Sequence, residues 1–363
     1  MSQCVMQEIV NQDSVIGCLL GTAVGDAIGL PFEGISKARQ HRMCRELQGH
    51  HFLFGKGMIS DDTEHACMVA QAILVSNGDP DRFSRSLAWR LRFWLLGLPA
   101  GVGLATLQAT VNLWLGFPPH RSGVFSAGNG PAMRSPIIGV CYGREIGMLR
   151  EFVKRSTRIT HTDPKAEFGA LAVAVAAYCS SIGTESGVSP EGYYQRLCGL
   201  LSADGADEFL ALIRKTVNSV LAGQSTESFA ADLGRGKGVG GYMYHTVPAV
   251  IHAWLSHPND YRTAITQIVR CGGDTDSTAA ILGGIIGAGV GRRGIPEDWI
   301  NGLIEWPRSV RWMERLGRRL SRAINQGTRM SAEPLPVWGV ALRNMFFLVV
   351  VLAHGFRRLL PPY

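Results

Sequence analysis

The chain lacks the cysteine spacing of a disulfide framework. Its eight cysteines, at 4, 18, 44, 67, 141, 179, 198 and 271, include no Cys-x-x-Cys and no pairing rhythm, and this reads as buried, reduced thiols in a cytoplasmic protein. Alternating β-branched runs between turn signals are absent too, which argues against a sheet and for an all-α fold. The N-terminal stretch MSQCVMQEIVNQD has no basic start followed by a long apolar region, so no secretory signal is expected. Charged residues are only 18% of the chain against 46% hydrophobic, leaving little room for long disorder and ample material for a core. No apolar run reaches the ~20 residues that span a bilayer. The longest in the C-terminal part, Met345 to Ala353, is well short, and extending it back to Val337 places Arg343 and Asn344 inside. The tail is therefore expected to be a helix docked on the body rather than a membrane anchor.

Glycine, by contrast, is abundant at 44 residues. Gly17, Gly21 and Gly25, and again Gly283, Gly284 and Gly287, fall inside helical patterns, where glycine serves close approach of helices. The net charge of +7 is concentrated in the region from Arg292 onward, with twelve arginines against five acidic residues. A solvated arginine face accounts for this, and no nucleic-acid partner is inferred. The aromatic stripe Trp89, Phe93 and Trp94 is assigned to the core. His50-His51 has no partner at ligand spacing. Gly234 to Tyr242 is glycine-rich, yet no Ser or Thr follows Lys237 and no strand precedes it, so it is not a phosphate-binding Walker loop.

The chemistry lies in three acidic stretches. Gly272-Gly273-Asp274-Thr275-Asp276-Ser277 precedes Ala279 to Val290, a run with no polar side chain on any face, which marks a helix buried on all sides. Two carboxylates at a buried helix start gain modestly from the helix dipole and cost much to desolvate, so a bound cation is the natural compensation. Ser60-Asp61-Asp62-Thr63 repeats the arrangement before Ala66, Val69, Ala70, Ile73 and Leu74. Oxygen ligands alone suit Mg²⁺, Mn²⁺ or Ca²⁺ better than zinc. The third stretch runs from Asp26 to Glu33 across a helix end closed by Pro31. Asp26 suits a buried structural role as well as a functional one.

GDAIGLPFEG, SDDTEH and GGDTDS, in that order, with GNGPAMR at 128–134 and THTDP at 160–164 between them, resemble the signature of the ADP-ribosylglycohydrolase family over roughly residues 14 to 320. Ser60 and Ser277 stand where threonine is usual. The resemblance implies a compact all-α helical bundle with a central dimetal cleft. It implies two divalent cations, Mg²⁺ first and Mn²⁺ second, held by Asp61, Asp62, Asp274 and Asp276 with the hydroxyls of Ser60 and Ser277. Asp61 beside a bridging water and Glu33 near the metals or the leaving group carry the catalytic roles. Gly128, Asn129 and Gly130 would line the pyrophosphate, with His161 near the phosphates or distal ribose and Tyr242 at the cleft edge. Arg134 would pair with a phosphate or a nearby acid.

The expected layout is an N-terminal extension over 1–13, the family domain over 14–326 and an apolar, basic tail over 327–363. The expected activity is Mg²⁺-dependent removal of ADP-ribose from protein side chains, arginine preferred, with a further role as antidote to an ADP-ribosyltransferase toxin. Two alternatives stay open: a metal-dependent hydrolase of another ADP-ribose or nucleoside-phosphate derivative, and a non-catalytic ADP-ribose-binding or partner-binding protein.

Overall fold

The structure is a computed structural model and describes residues 10–44, 46–183, 188–236 and 238–357. Among them there are eighteen α-helices and no sheet, with β-type pairing confined to isolated bridges. The first nine are α1 Gln12–Gly29, α2 Lys37–Met43, α3 Asp61–Ser76, α4 Pro80–Leu96, α5 Leu104–Trp114, α6 Gly130–Met133, α7 Pro136–Tyr142, α8 Ile146–Arg158 and α9 Pro164–Ser181. The rest are α10 Pro190–Leu201, α11 Asp207–Leu221, α12 Thr226–Ala230, α13 Met243–Ser256, α14 Tyr261–Arg270, α15 Thr275–Gly294, α16 Glu297–Gly302, α17 Val310–Gln326 and α18 Val337–Arg357. The fold is all-α, as the missing strand patterns predict.

The centre is an antiparallel pair, α1 against α15. Gly17, Gly21, Gly25 and Gly29 recur every fourth residue along one face of α1, the spacing that stacks residues over one another on a helix. A Cβ on these four would lie 2.1, 2.1, 2.1 and 2.2 Å from the carbonyl oxygens of Gly287, Gly283, Ala279 and Thr275 respectively. Only glycine permits such backbone contact. Around the pair, α3 and α17 pack on α1, while α9, α13 and α14 pack on α15. Both central helices are therefore enclosed: every residue of α15 from Ala279 to Ala288 is buried.

One local expectation, the aromatic stripe, is corrected, and two helices are added to those the periodicity shows. The stretch 34–60 contains α2, started by Ser36 accepting from the Arg39 amide and anchored by buried Gln40, whose Nε2 donates to Val269 O at 2.9 Å. The stretch 181–205 contains α10, whose Tyr193, Leu197, Leu200 and Leu201 are buried. In the aromatic stripe only Trp94 belongs to the core. Trp89 and Phe93 lie on the outer face of α4, opposite buried Phe83, Leu87 and Leu91. His50 is packed against Gly57 and Gly302 and bonds Trp299 O through Nε2 at 2.7 Å, a structural role.

At the N-terminal end, α1 starts at Gln12, capped by Asn11, and Val10 is buried and paired in both directions with the Asn325 amide. Residues 1–9, most of the proposed extension, lie outside the described residues. The tail does form a helix, α18, docked on the body. Its anchor is Arg343, buried, with Nη2 donating to Glu305 Oε1 at 2.6 Å and to Ile59 O, and Nε donating to Glu305 Oε2 at 3.1 Å. Glu305 Oε1 also accepts from the Ile59 amide at 2.9 Å. The tail thus grips the residue immediately before Ser60.

Two stability predictions follow from these contacts. Gly21→Ala drives a methyl into the backbone of α15 and costs about 3 kcal/mol or more. Gly199→Ala, inside α10 with open space around it, gains about 0.5–1 kcal/mol from helix propensity. Urea denaturation of both reads the difference, and equal effects would contradict the close contact. Arg343→Met strands the Glu305 carboxylate without its buried partner and costs about 3–5 kcal/mol on the same measurement.

Candidate active site

The α1–α15 contact ends where the acidic stretches meet. Thr275 Oγ1 donates to Gly29 O at 2.9 Å, and the Gly34 amide donates to Gly273 O at 2.9 Å. These bonds stitch the loop carrying Glu33 to the loop carrying Asp274. Gly273, at φ +89°, lies so close to Val239 that a Cβ would fall 2.2 Å from its carbonyl oxygen. The Asp274 amide donates to Val239 O at 2.8 Å, so the glycine-rich segment before α13 braces the acidic loop.

Asp26 is fully buried and structural. Its carboxylate accepts from the Ser60 amide at 2.9 and 3.0 Å, the Thr63 amide at 3.2 Å and Thr63 Oγ1 at 2.5 Å. It thereby fixes the start of α3 against α1. Burial pushes its pKa up to about 6, against the opposing pull of those hydrogen bonds.

The remaining acids form one cluster. Glu33, Asp274 and Asp276 each present a carboxylate oxygen within 4.8 Å of the others. Ser60 caps α3, accepting from the Asp62 amide at 3.3 Å, and its Oγ donates to Asp62 Oδ2 at 3.1 Å. Ser277 Oγ donates to the same Oδ2 at 3.2 Å, so a hydroxyl from each acidic motif orients Asp62. Asp62 Oδ1 and Asp276 Oδ1 are buried with no hydrogen-bond partner. Buried polar atoms are nearly always paired, so orphaned carboxylate oxygens require another partner. Burial first, then the neighbouring carboxylates, push Asp61, Asp62 and Asp276 well above the usual range. The donor set is oxygen throughout, which fits a hard divalent cation.

These acids floor a cleft of about 540 Å³, lined by Glu33, Asp61, Asp274, Asp276 and Ser277 on one side and by Gly128, Asn129, Gly130 and His161 on another. Ser60 and Asp62 are buried behind that floor. The Gly128 amide donates to Ser126 Oγ and the Asn129 amide to Gly241 O. Two of the three loop amides expected to meet a phosphate are therefore already engaged. Asn129 acts through its side chain, donating from Nδ2 to Asp274 Oδ2 at 2.7 Å.

His161 packs over Gly128 and Gly130, where a Cβ would come within 3.1 Å of its ring. Its Nδ1 meets Thr160 Oγ1 at 2.9 Å, and Thr160 Oγ1 accepts from Arg134 Nη2 at 2.5 Å. Burial, then the Arg134 cation, lowers the His161 pKa to about 3, so its imidazole is neutral. Arg134 itself is absent from the cleft lining and pairs with no acid among the described residues. It is fully buried, spent on Ser156, Thr160 and His65. Tyr242 caps α13 and its hydroxyl accepts from Lys165 Nζ at 3.3 Å, while the cleft wall at this point is Gly241.

A sequence profile described as ADP-ribosylglycohydrolase matches residues 7–329. The chain belongs to the ADP-ribosylglycohydrolase family. An uncharacterised protein of Archaeoglobus fulgidus is 32% identical over 79% of this chain and 90% of its own. The ADP-ribosyl-[dinitrogen reductase] glycohydrolase of Rhodospirillum rubrum is 26% identical, covering 80% of this chain and 90% of its own. The ADP-ribosylhydrolase ARH3 of Gallus gallus is 25% identical, covering 78% and 87%. A solved structure titled ADP-ribosylglycohydrolase-related protein complex superposes with a TM-score of 0.63 at 26% identity, covering 86% of this chain and 98% of that one. At the level of the family, hydrolysis of ADP-ribosyl linkages is the activity.

Sequence reasoning missed one wall of the cleft, Gly101 and Gly103 to Thr106. Gly103 starts α5 without a side-chain cap, leaving first-turn amides unpaired by any capping group. The available signal was the glycine pair Gly101 and Gly103 just before a helical pattern.

The raised carboxyl pKa values set a pH dependence. A carboxyl with a higher pKa folded than unfolded lends stability that is full below the unfolded value and lost as pH rises through the folded one. That folded value is about 6 for Asp26 and well above normal for Asp61, Asp62 and Asp276. Cation-free protein should therefore lose melting temperature as pH rises from about 4 through about 6 and above, and a divalent cation should restore it. Melts of wild type and Asp62→Asn/Asp276→Asn with and without the cation check this. A variant as steeply pH-dependent as wild type would contradict it.

Proposed function

We propose that the chain is a divalent-cation-dependent hydrolase, with Mg²⁺ as the working ion, that releases ADP-ribose from modified arginine side chains of proteins in a reducing, cytoplasmic compartment. The observation that carries this reading is the pair of orphaned buried oxygens, Asp276 Oδ1 at the floor of the cleft and Asp62 Oδ1 directly behind it, in a chain of this family. Asp61, Asp62, Asp274, Asp276 and Glu33 would hold the cations, with Ser60 and Ser277 orienting Asp62. Bound there, two cations supply Lewis acidity toward the ribose hydroxyls and the attacking water.

The chain's own residues do the remainder. Asp61, half-buried and lining the cleft floor, takes the proton of the water whose oxygen bonds C1″ of the ribose. The C1″–N bond breaks, and its electron pair leaves with the guanidine, which takes up the proton that Asp61 accepted from the water. Glu33 borders the cleft where a cationic guanidinium departs, and the acid-lined floor favours that cation electrostatically, which supports arginine over a neutral acceptor. Asn129 holds Asp274. Neutral His161, its Nδ1 held by Thr160 Oγ1, turns its ring to the cleft for the phosphates or distal ribose. Reversing a transferase's product in this way would protect a cell from such a toxin. Partner recognition would draw on the first thirteen residues and the basic C-terminal face.

Free ADP-ribose released from ADP-ribosyl-arginine protein, with and without Mg²⁺, tests the activity. Release only from other ADP-ribose or nucleoside-phosphate substrates would move the assignment to the second class, and binding without release to the third. Asp62→Ala and Asp276→Ala should each lower turnover by more than the ~10–100-fold typical of losing an outer-shell group, with the helical circular dichroism retained. Turnover near wild type in both would defeat the metal assignment.

A further inference from the structure

The C-terminal helix α18 is inside out. A helix docked on a water-soluble body normally turns its apolar stripe inward and its polar residues to solvent. In α18 the polar residues Arg343 and Asn344 are buried, bonded to Glu305 and to Gly97 O. His354, half-buried, bonds Phe52 O. Every exposed residue from Val337 to Phe356 is apolar or glycine. Trp338 is 65% exposed, Met345 67% and Phe356 67%, with Leu342, Phe346 and Val349 also exposed. At roughly 100° per residue the full set of exposed positions from Val337 to Phe356 sweeps about half the helix circumference.

The apolar surface continues beyond the helix. Val337 and Val340 share a groove of about 610 Å³ with Trp89, Phe93 and Leu96 on the outer face of α4. Beside the far end of α18, Leu53 packs on the cluster of Phe347 and Val350, and its neighbour Phe54 is 99% exposed. Patches of this extent mark an interaction site. The family profile ends at residue 329, so α18 lies outside the matched part of the chain.

We infer that α18 docks the protein onto the surface of an anionic lipid bilayer, lying in the plane of the interface. Two observations favour lipid over a protein partner. The exposed arc is convex and offers no polar side chain, so nothing in it specifies a directional contact, whereas a fluid acyl phase accepts such a face. Its charge is of one sign: no acidic residue occurs from Pro334 to Tyr363, and exposed Arg357 follows the apolar face, placing a cation at headgroup level. The helix does not span, because Arg343 and Asn344 tie its midpoint to the body. Loop residues link this face to the cleft. Leu98 is exposed, Ala100 packs on the cluster beneath α18, and Gly101 and Gly103 line the cleft. The site therefore opens one short loop from the bilayer, suited to modified proteins held at a membrane.

The test uses the full chain and vesicles of phosphatidylcholine with and without phosphatidylserine. Wild type should float with the anionic vesicles, less so in high salt. Leu342→Glu/Phe346→Glu/Val349→Glu, all at exposed positions, should weaken partitioning by about tenfold or more while leaving the circular dichroism and hydrolysis of a small soluble substrate unchanged. Membrane docking is independent of the acidic cleft, so an inactive Asp276→Ala protein should float like wild type. The inference is overturned if wild type stays unbound at all lipid compositions. It is equally overturned if the triple substitution abolishes only a concentration-dependent dimer in sedimentation velocity, which would make a second copy the occupant.

Discussion

The backbone-to-backbone contact between α1 and α15 is the constraint on which the rest of the molecule depends. Four glycines at every fourth position of α1 let the helices approach until carbonyl oxygens occupy the space of absent side chains. Dispersion between close-packed backbones is gained along several turns. The contact also fixes a register, because each glycine faces one particular residue of the partner. Its last step pairs Gly29 with Thr275. That step sets the loop of Glu33 beside Asp274 and Asp276, so the packing of the core and the geometry of the acidic floor are one decision.

A second consequence is electrostatic. Enclosing both central helices leaves the start of α15 buried, and Asp26 fastens the start of α3 beside it. Carboxylates from both starts are then desolvated together and repel one another. Such an arrangement is unfavourable by itself and becomes favourable with a counter-cation. The protein has placed negative charge where folding alone would exclude it, and this is the physical mark of function in the structure.

The tail adds a third layer. Through Arg343 it reaches Glu305 and the backbone of Ile59, directly ahead of Ser60. Its inward face is polar and its outward face apolar, the reverse of what a solvent-facing helix presents. Composition alone pointed to a helix docked on the body. The docking is there, yet it uses the polar residues and leaves the apolar ones outside.

Much of this was legible in the sequence where a local rule suffices. The absence of strand patterns, the glycine spacing and the two acid pairs ahead of apolar runs each depend on neighbours within a turn or two, so the all-α fold and the chemical class of the site could be read directly. Other features required partners far away in the chain. Asp26 looked equally structural and functional until Ser60 and Thr63 were found on its carboxylate. Arg134 read as a partner for a phosphate or a nearby acid until it was found buried against Ser156 and Thr160, outside the cleft lining. Trp89 and Phe93 read as core because periodicity gives the angle between side chains and not which side faces the body. By itself the sequence determined most of the helices, the close-packing glycines and an oxygen-rich acidic site of this family. Only the tertiary structure decided which acids share one cavity and which face of α18 meets the outside, because burial and charge proximity arise from contacts between segments hundreds of residues apart.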